Sequence, residues 1–275
     1  THKGIASLLI ILLITSAYVL IKKPSHTGDW QATQKRLPSI IQNVNNFHIS
    51  NIRDFRYAAD NNNFITTSQE HFTEESYHFD DLEKIWFGLS HFGDNGLAHA
   101  FLSFEFTDNQ FLTLSIEART EEHQKYHPVL GLLNHYEKIY IFGTEADIIG
   151  LRTHARRENV LLYPINLEQS SQVSLLKKYL SQARQLETQP DFYNTLLDNC
   201  LTGLLRESGE FSSWDFISNI RLILPGRSDG LAQELGLLNQ EVALDLLRNK
   251  AKIDPSVSNP NSEDFSQQIR SGWDL

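Results

Sequence analysis

Residues 97–106 alternate without a break, and this pattern narrows the possible folds more than any other stretch of the chain. Ala98, Ala100, Leu102, Phe104 and Phe106 fall on one face, and Leu97, His99, Phe101, Ser103 and Glu105 on the other. Such a strand must cover its first face with another layer, while its second face is free to carry polar groups. Neighbouring segments read the same way. Residues 85–92 lead into the turn Gly93-Asp94-Asn95-Gly96, and Thr107-Asp108-Asn109 returns the chain into residues 111–119. Residues 138–143 and 159–166 are two more expected strands. Residues 47–57 alternate roughly, with a bulge, before an Asn61-Asn62-Asn63 loop.

The period then changes. Val173, Leu176, Leu180 and Ala183 recur at helical spacing, and Pro190 closes that element. Further helices are expected near residues 198–206, 214–222 and 241–250. Pro, Ser and Asn dominate residues 254–262, so residues 254–275 are expected as a surface-hugging tail. Strands followed by helices give an α+β fold with a mainly antiparallel sheet.

Residues 4–21 form a separate object, eighteen residues without a charge. At about 1.5 Å per residue they reach about 27 Å, close to the thickness of a bilayer core. Lys22, Lys23 and Pro24 stop the run abruptly. A cleaved signal peptide competes, with Thr15-Ser16-Ala17 as its weak cleavage site, but the apolar run continues past it to Ile21. Lys3 before the run and Lys22-Lys23 after it leave the orientation undecided. The expected division is a transmembrane anchor at 1–23, a linker at 24–30, one globular domain at 31–253 and the tail at 254–275.

Composition removes several function classes. A formal charge of −10 makes nucleic acid a poor partner. One cysteine excludes an intrachain disulfide framework and any cysteine-cluster metal site. There is no glycine-rich dinucleotide fingerprint, no P-loop and no Gly-x-Ser-x-Gly elbow. His123 and His127 have zinc-pair spacing, but Gln124 stands where a zinc protease needs Glu, so a structural or solvent role is expected. No metal and no cofactor are expected.

Cys200 follows Asp198-Asn199 and opens an apolar helical run. A thiol in the first turn of a helix meets unpaired N–H groups and the positive end of the dipole, which favour the thiolate. A buried structural cysteine explains the same position equally well. A nucleophilic thiol needs an imidazole to take its proton. His99, centred in the best-patterned strand, is the candidate. Ser115, Glu117 and Arg119 share one face of the next strand, and one of them would orient the far nitrogen of His99.

Taken in order, several strings resemble the Lnb N-terminal periplasmic domain family. They are Asp29-Trp30-Gln31, Asn51 to Tyr57, Ala98-His99-Ala100 with Ser103-Phe104, Ser115 to Arg119, Tyr136-Glu137, Leu151-Arg152-Thr153, and Tyr193-Asn194-Thr195 with Asn199-Cys200. The resemblance spans residues 29–202 and thins afterwards to Asp264-Phe265-Ser266. It implies a membrane protein with an extracytoplasmic Cys–His domain, and lipoprotein N-acylation as the activity. The order of histidine and cysteine is also similar to circularly permuted papain-like folds, including lecithin:retinol acyltransferase-like and NlpC-like enzymes.

Carried over, the resemblance makes Cys200 the nucleophile and His99 the general base. Glu117 is assigned here as the orienting group. The Cys200 N–H, with the side chain of Asn194 or Asn199, is expected to hold the oxyanion, and Tyr193, Ser115 and Arg119 to line the substrate site. The expected protein is a thiol acyltransferase in the bacterial inner membrane, single-pass, with a periplasmic globular part. Its expected partners are membrane lipid and a lipoprotein or peptidoglycan peptide as substrate. The alternatives are an NlpC-like cell-wall amidase or peptidase, and a non-catalytic binding module with a vestigial site.

Overall fold

The computed structural model describes residues 21–59, 65–92, 98–195 and 225–273. Among the described residues, ten strands precede or interleave with five α-helices. The strands are β1 (Ser39–Gln42), β2 (Asn46–Arg53), β3 (Arg56–Ala59), β4 (Ile65–Gln69), β5 (Phe72–His78), β6 (Leu82–His91), β7 (Ala98–Phe106), β8 (Gln110–Arg119), β9 (Glu137–Gly143) and β10 (Asn159–Pro164). The helices are α1 (Glu145–Gly150), α2 (Gln169–Thr188), α3 (Ser228–Glu234), α4 (Leu244–Ala251) and α5 (Phe265–Gln268). A π-helical turn, Leu151–Ala155, prolongs α1.

The main sheet runs β1-β2-β9-β8-β7-β6-β10, with β5 also paired to β2. Every pairing is antiparallel except the short β2–β9 contact at Arg53 and Gly143. β3 and β4 form a separate hairpin. The mixed fold and the large antiparallel sheet agree with the reading of the sequence. The expected bulge lies between Ser50 and Ile52, where Asn51 turns to a φ of 63°. Asp108 and Asn109 adopt φ values of 60° and 57° in the β7–β8 hairpin, a backbone region that Asn and Asp tolerate. The 93–96 turn and the helices expected near 198–206 and 214–222 lie outside the described residues.

The alternation in β7 sorts the two sides of the sheet. Ala98, Ala100, Leu102, Phe104 and Phe106 join Ile85, Phe87, Leu89, Leu112, Leu114 and Ile116 in one large apolar layer. Across it lies α2, which buries Leu175, Leu176, Tyr179, Leu180, Ala183 and Leu186. Each large aliphatic or aromatic side chain buried here contributes about 1.5–3 kcal/mol. The second side holds a smaller apolar cluster, in which Trp86, Phe101, Val160 and Leu162 pack on Ile149, Ile253, Phe265 and Ile269. Gly88 stands opposite Phe101, and a Cβ there would come within 2.1 Å of the ring.

Two segments depart from expectation. The stretch read as a surface tail is part of the core, for Phe265 and Ile269 are buried and the Trp273 indole donates to Leu162 O at 2.9 Å. Arg270 donates to both oxygens of buried Glu145, at 2.8 and 2.6 Å, and Ser103 Oγ donates to the same carboxylate. The polar residues before Phe265 hide a short amphipathic turn, whose Phe265 and Ile269 are four residues apart and share a face. The expected linker is also docked, since Trp30 is buried and its indole donates to His26 O at 2.8 Å.

No helix among the described residues is long and apolar enough to cross a membrane. The expected anchor lies outside them apart from its last residues.

Replacing Arg270 by Ala leaves Glu145 buried and unpaired, and is expected to cost about 3–5 kcal/mol. Leu246→Ala, at an exposed position, is expected to cost no more than about 0.5 kcal/mol. Urea unfolding followed by tryptophan fluorescence measures both. Equal midpoints for the two variants would show that the C-terminal segment is not part of the cooperative unit.

Candidate active site

The polar stripe on the second side of the sheet begins at His99 in β7. Phe101 pairs with Ser115 in the β7–β8 register, which brings His99 alongside Ser115 and Glu117 on β8. His99 Nε2 lies 2.7 Å from Ser115 Oγ, and Ser115 Oγ donates to Glu117 Oε1 at 2.8 Å. A serine hydroxyl has one proton, and an ionised carboxylate can only accept. Ser115 therefore spends its proton on Glu117 and accepts from His99, which assigns the imidazole proton to Nε2. Nδ1 keeps its lone pair, and no group among the described residues bonds it.

Glu117 is the best-supported acid of the cluster. Arg152 Nη2 donates to its Oε1 at 3.2 Å, and Gln34 Nε2 donates to its Oε2 at 3.1 Å. Burial alone would raise this carboxyl. Arg152, helped by His99, Arg53 and the Ser115 hydroxyl, instead holds it well below the usual carboxylate range. His99 moves the same way for a different reason. Desolvation, followed by the Arg152 charge and opposed by Glu117, pushes its imidazole down to about 3. At neutral pH the pair is a neutral imidazole linked through a hydroxyl to a carboxylate.

Each partner depends on a separate piece of chain. Arg152 sits in the π-helical turn after α1, and its Nη1 donates to Ile148 O at 2.7 Å. Such turns are frequent at functional sites. Gln34 comes from a 3-10 turn, Ala32–Gln34, and its Oε1 accepts from Thr120 N and Thr120 Oγ1 at 2.6 and 3.1 Å. His99, Glu117, Arg152 and Gln34 line a cavity of about 470 Å³, together with Gln31, Phe92, Ile116, Lys125, Tyr126 and Tyr193. That size suits a small ligand or one segment of a larger one.

Of the residues expected at the site, the structure brings His99, Ser115, Glu117 and Tyr193 together. Ser115, expected at the substrate or as an orienting group for His99, stands between His99 and Glu117. Arg119 does not line the cavity. Its guanidinium donates to Gln34 O and Lys35 O at 2.9 and 2.8 Å and stacks 4.4 Å from the Trp30 ring. It shares the β8 face with Ser115 and Glu117, but lies at the strand's end, where the incoming N-terminal segment covers it. Asn194 is half-buried and also does not line the cavity. Cys200 and Asn199 lie outside the described residues.

The chain leading towards Cys200 is nonetheless fixed at its start. Tyr193 N donates to Tyr136 O at 3.0 Å, and Thr195 N donates to Gly131 O at 3.3 Å. Thr195 Oγ1 donates to Pro128 O at 2.9 Å, so it accepts from the Tyr126 hydroxyl at 3.1 Å.

Two residues of the cluster, Gln34 and Arg152, have no assigned role in the sequence reading. A helix-capping signal stands close to the second. Thr144 accepts from Asp147 N at 3.2 Å, as a Thr-x-x-Asp pattern before an apolar run suggests. Nothing local marks Gln34.

The depressed imidazole makes stability depend on pH with a definite sign. The unfolded chain protonates this histidine near 6.5, the folded one only near 3. Between these values the unfolded state holds more protons, so stability falls as pH falls. Glu117 adds to the same loss below about 4.5. The His99→Gln variant is expected to show a flatter fall in urea midpoint between pH 6.5 and 4.5 than the wild type. An unchanged slope in that window would refute the buried neutral imidazole, and ring 15N shifts should report the Nε2–H tautomer directly.

No curated protein and no solved structure matches the chain. The family model of the Lnb N-terminal periplasmic domain matches residues 68–210, more than half of the chain. The matched span runs from β4 through Cys200, and includes His99, Ser115, Glu117 and Arg152. The chain therefore belongs to the Lnb N-terminal periplasmic domain family, and its globular part is a periplasmic domain.

Proposed function

We propose that the protein is a membrane-anchored thiol acyltransferase, with Cys200 as nucleophile and His99 as general base. The observation that carries this reading is the relay from His99 Nε2 through Ser115 to Glu117. It leaves Nδ1 as the basic nitrogen, at a cavity, on a neutral ring.

In the first half-reaction the Cys200 sulfur attacks an acyl ester carbonyl while Nδ1 takes the thiol proton. An imidazole held near a pKa of 3 is neutral at rest. The proton therefore leaves as the carbon–sulfur bond forms, not in a preformed ion pair. The imidazolium is stabilised through Ser115 by the Glu117 charge. The Cys200 N–H and the Asn199 side chain hold the oxyanion. Collapse expels the alcohol, which takes the proton from Nδ1. In the second half an amine attacks the thioester, gives its proton to Nδ1 and releases the Cys200 sulfur, which takes that proton back.

Two features of the cavity bear on the choice between an acyl substrate and a peptide. Gln31 Nε2 already donates to Glu121 O and Gln124 O, and Gln34 is fully engaged within the protein. These amides are therefore poorly placed to pair with a peptide backbone. Phe92, Tyr126 and Tyr193 supply apolar surface, next to the charged Lys125, Arg152, Arg156 and Glu158.

Intact-mass analysis of the full chain in membranes tests the proposal. With phosphatidylethanolamine or a diacylated lipoprotein as donor, Cys200 is expected to gain a hydroxylamine-sensitive fatty-acyl adduct. His99→Ala should slow its formation by about 10²–10⁴-fold, the usual contribution of a positioned base. Cleavage of purified stem peptide without any acyl adduct would establish the amidase reading instead. Neither reaction would leave a binding module.

A further inference from the structure

We infer that the connection from Tyr126 to Leu132 rests on the lipid surface, which sets the cavity beside His99 at headgroup level. This rests on the membrane-anchored reading above and says which surface of the domain meets the bilayer.

Exposed apolar side chains on a soluble domain are ordinarily scattered singly. Here Tyr126, Val129, Leu130 and Leu132 are 42, 56, 37 and 41 % exposed, four large apolar groups within seven residues. The segment itself carries no acidic residue between Glu122 and Glu137, and it holds Lys125, His123, His127 and His135. An anionic headgroup surface therefore meets no carboxylate within the exposed turn itself.

Its position relative to the anchor agrees. The uncharged run ends at Ile21, and the next residue, Lys22, donates from Nζ to His135 O at 2.6 Å and lies 5.1 Å from the Phe192 ring. His135 is three residues beyond Leu132, a stretch of at most about 11 Å of backbone. The point where the chain leaves the bilayer and the exposed apolar turn thus share one edge of the domain. Lys125 and Tyr126 line the cavity as well, so a lipid held at this edge has its headgroup at the entrance. The same turn holds Thr195 through Tyr126, Pro128 and Gly131.

The test uses the full chain with Cys200→Ser, carrying Val129→Cys or, as a control, Leu246→Cys, each labelled with an environment-sensitive fluorophore. Both positions are exposed, and unchanged near-ultraviolet circular dichroism confirms that the fold is kept. The chain is reconstituted in phosphatidylethanolamine–phosphatidylglycerol vesicles containing doxyl-labelled phosphatidylcholine. The probe at 129 is expected to shift to the blue, to be quenched by the doxyl lipid, and to be severalfold less accessible to iodide than the probe at 246. Carbonate extraction is run in parallel. A chain retained by carbonate whose probe at 129 matches the control overturns the inference and leaves the anchor standing. Release by carbonate removes the anchor, and the inference with it. Cross-linking between two copies through position 129 would show that a second copy covers the turn, and would also overturn it.

Discussion

A charged side chain removed from water costs several kcal/mol unless partners surround it. The second side of this sheet carries four such charges, on Arg53, Glu117, Arg119 and the Arg270 that reaches it from the C-terminal segment. Backbone carbonyls of Gln34 and Lys35 take Arg119, and the eleven residues of α1 and its π-helical turn answer the other three. Asp147 takes two hydrogen bonds from Arg53 and one each from Phe55 N and Tyr57 OH. Glu145 pairs with Arg270, and Arg152 with Glu117. Both acids and Arg152 are buried. The placement of this short segment over the sheet decides whether three buried charges are satisfied or orphaned.

The same constraint separates the candidate site from its neighbours. The Asp147 and Glu145 clusters are closed, each acid spent on arginines, hydroxyls or backbone. At Glu117 the chain of bonds continues, through Ser115 to a cavity-lining histidine whose second nitrogen is bonded by none of the described residues. Desolvation acts on both ends of that chain, but charge divides them. Arg152 stabilises the carboxylate and opposes an imidazolium, so Glu117 stays ionised and His99 stays neutral. A base next to a fixed negative charge, reached through a hydroxyl, can accept a proton without itself being protonated at rest.

How much of this the chain announces depends on whether the signal is local. The alternation of β7 and β8 is a property of consecutive residues, so the sequence alone puts His99 on the polar face of one strand and Ser115 with Glu117 on a common face of the next. The bulge after Ser50 and the turn at Asp108-Asn109 are legible for the same reason. β4 and β5 are not, because Thr66, Thr67, Ser68, Glu74 and Glu75 give edge strands too polar to show a pattern. Gln34 lies 83 residues from the carboxylate it serves. It arrives there because Arg119 grips the backbone at Gln34 and Lys35 and stacks on Trp30. Arg119 itself reads as a ligand-binding residue because strand periodicity reports the face of a side chain but not what will cover it. The C-terminal segment misleads likewise, since its Phe265 and Ile269 make sense only against Trp86 and Leu162.

The route of the N-terminal segment ties these long-range contacts into one argument. From Lys22 the chain crosses His135, reaches Leu186 O with His26 Nε2 at 2.8 Å, buries Trp30 against Arg119 and delivers Gln34 to Glu117. The residues that follow the uncharged run are therefore the ones that complete the carboxylate's hydrogen bonds. On the proposed membrane-anchored reading, a loose tether would only keep the domain near the surface. A tether that ends inside the polar cluster would fix the orientation of the cluster with respect to the point of anchorage.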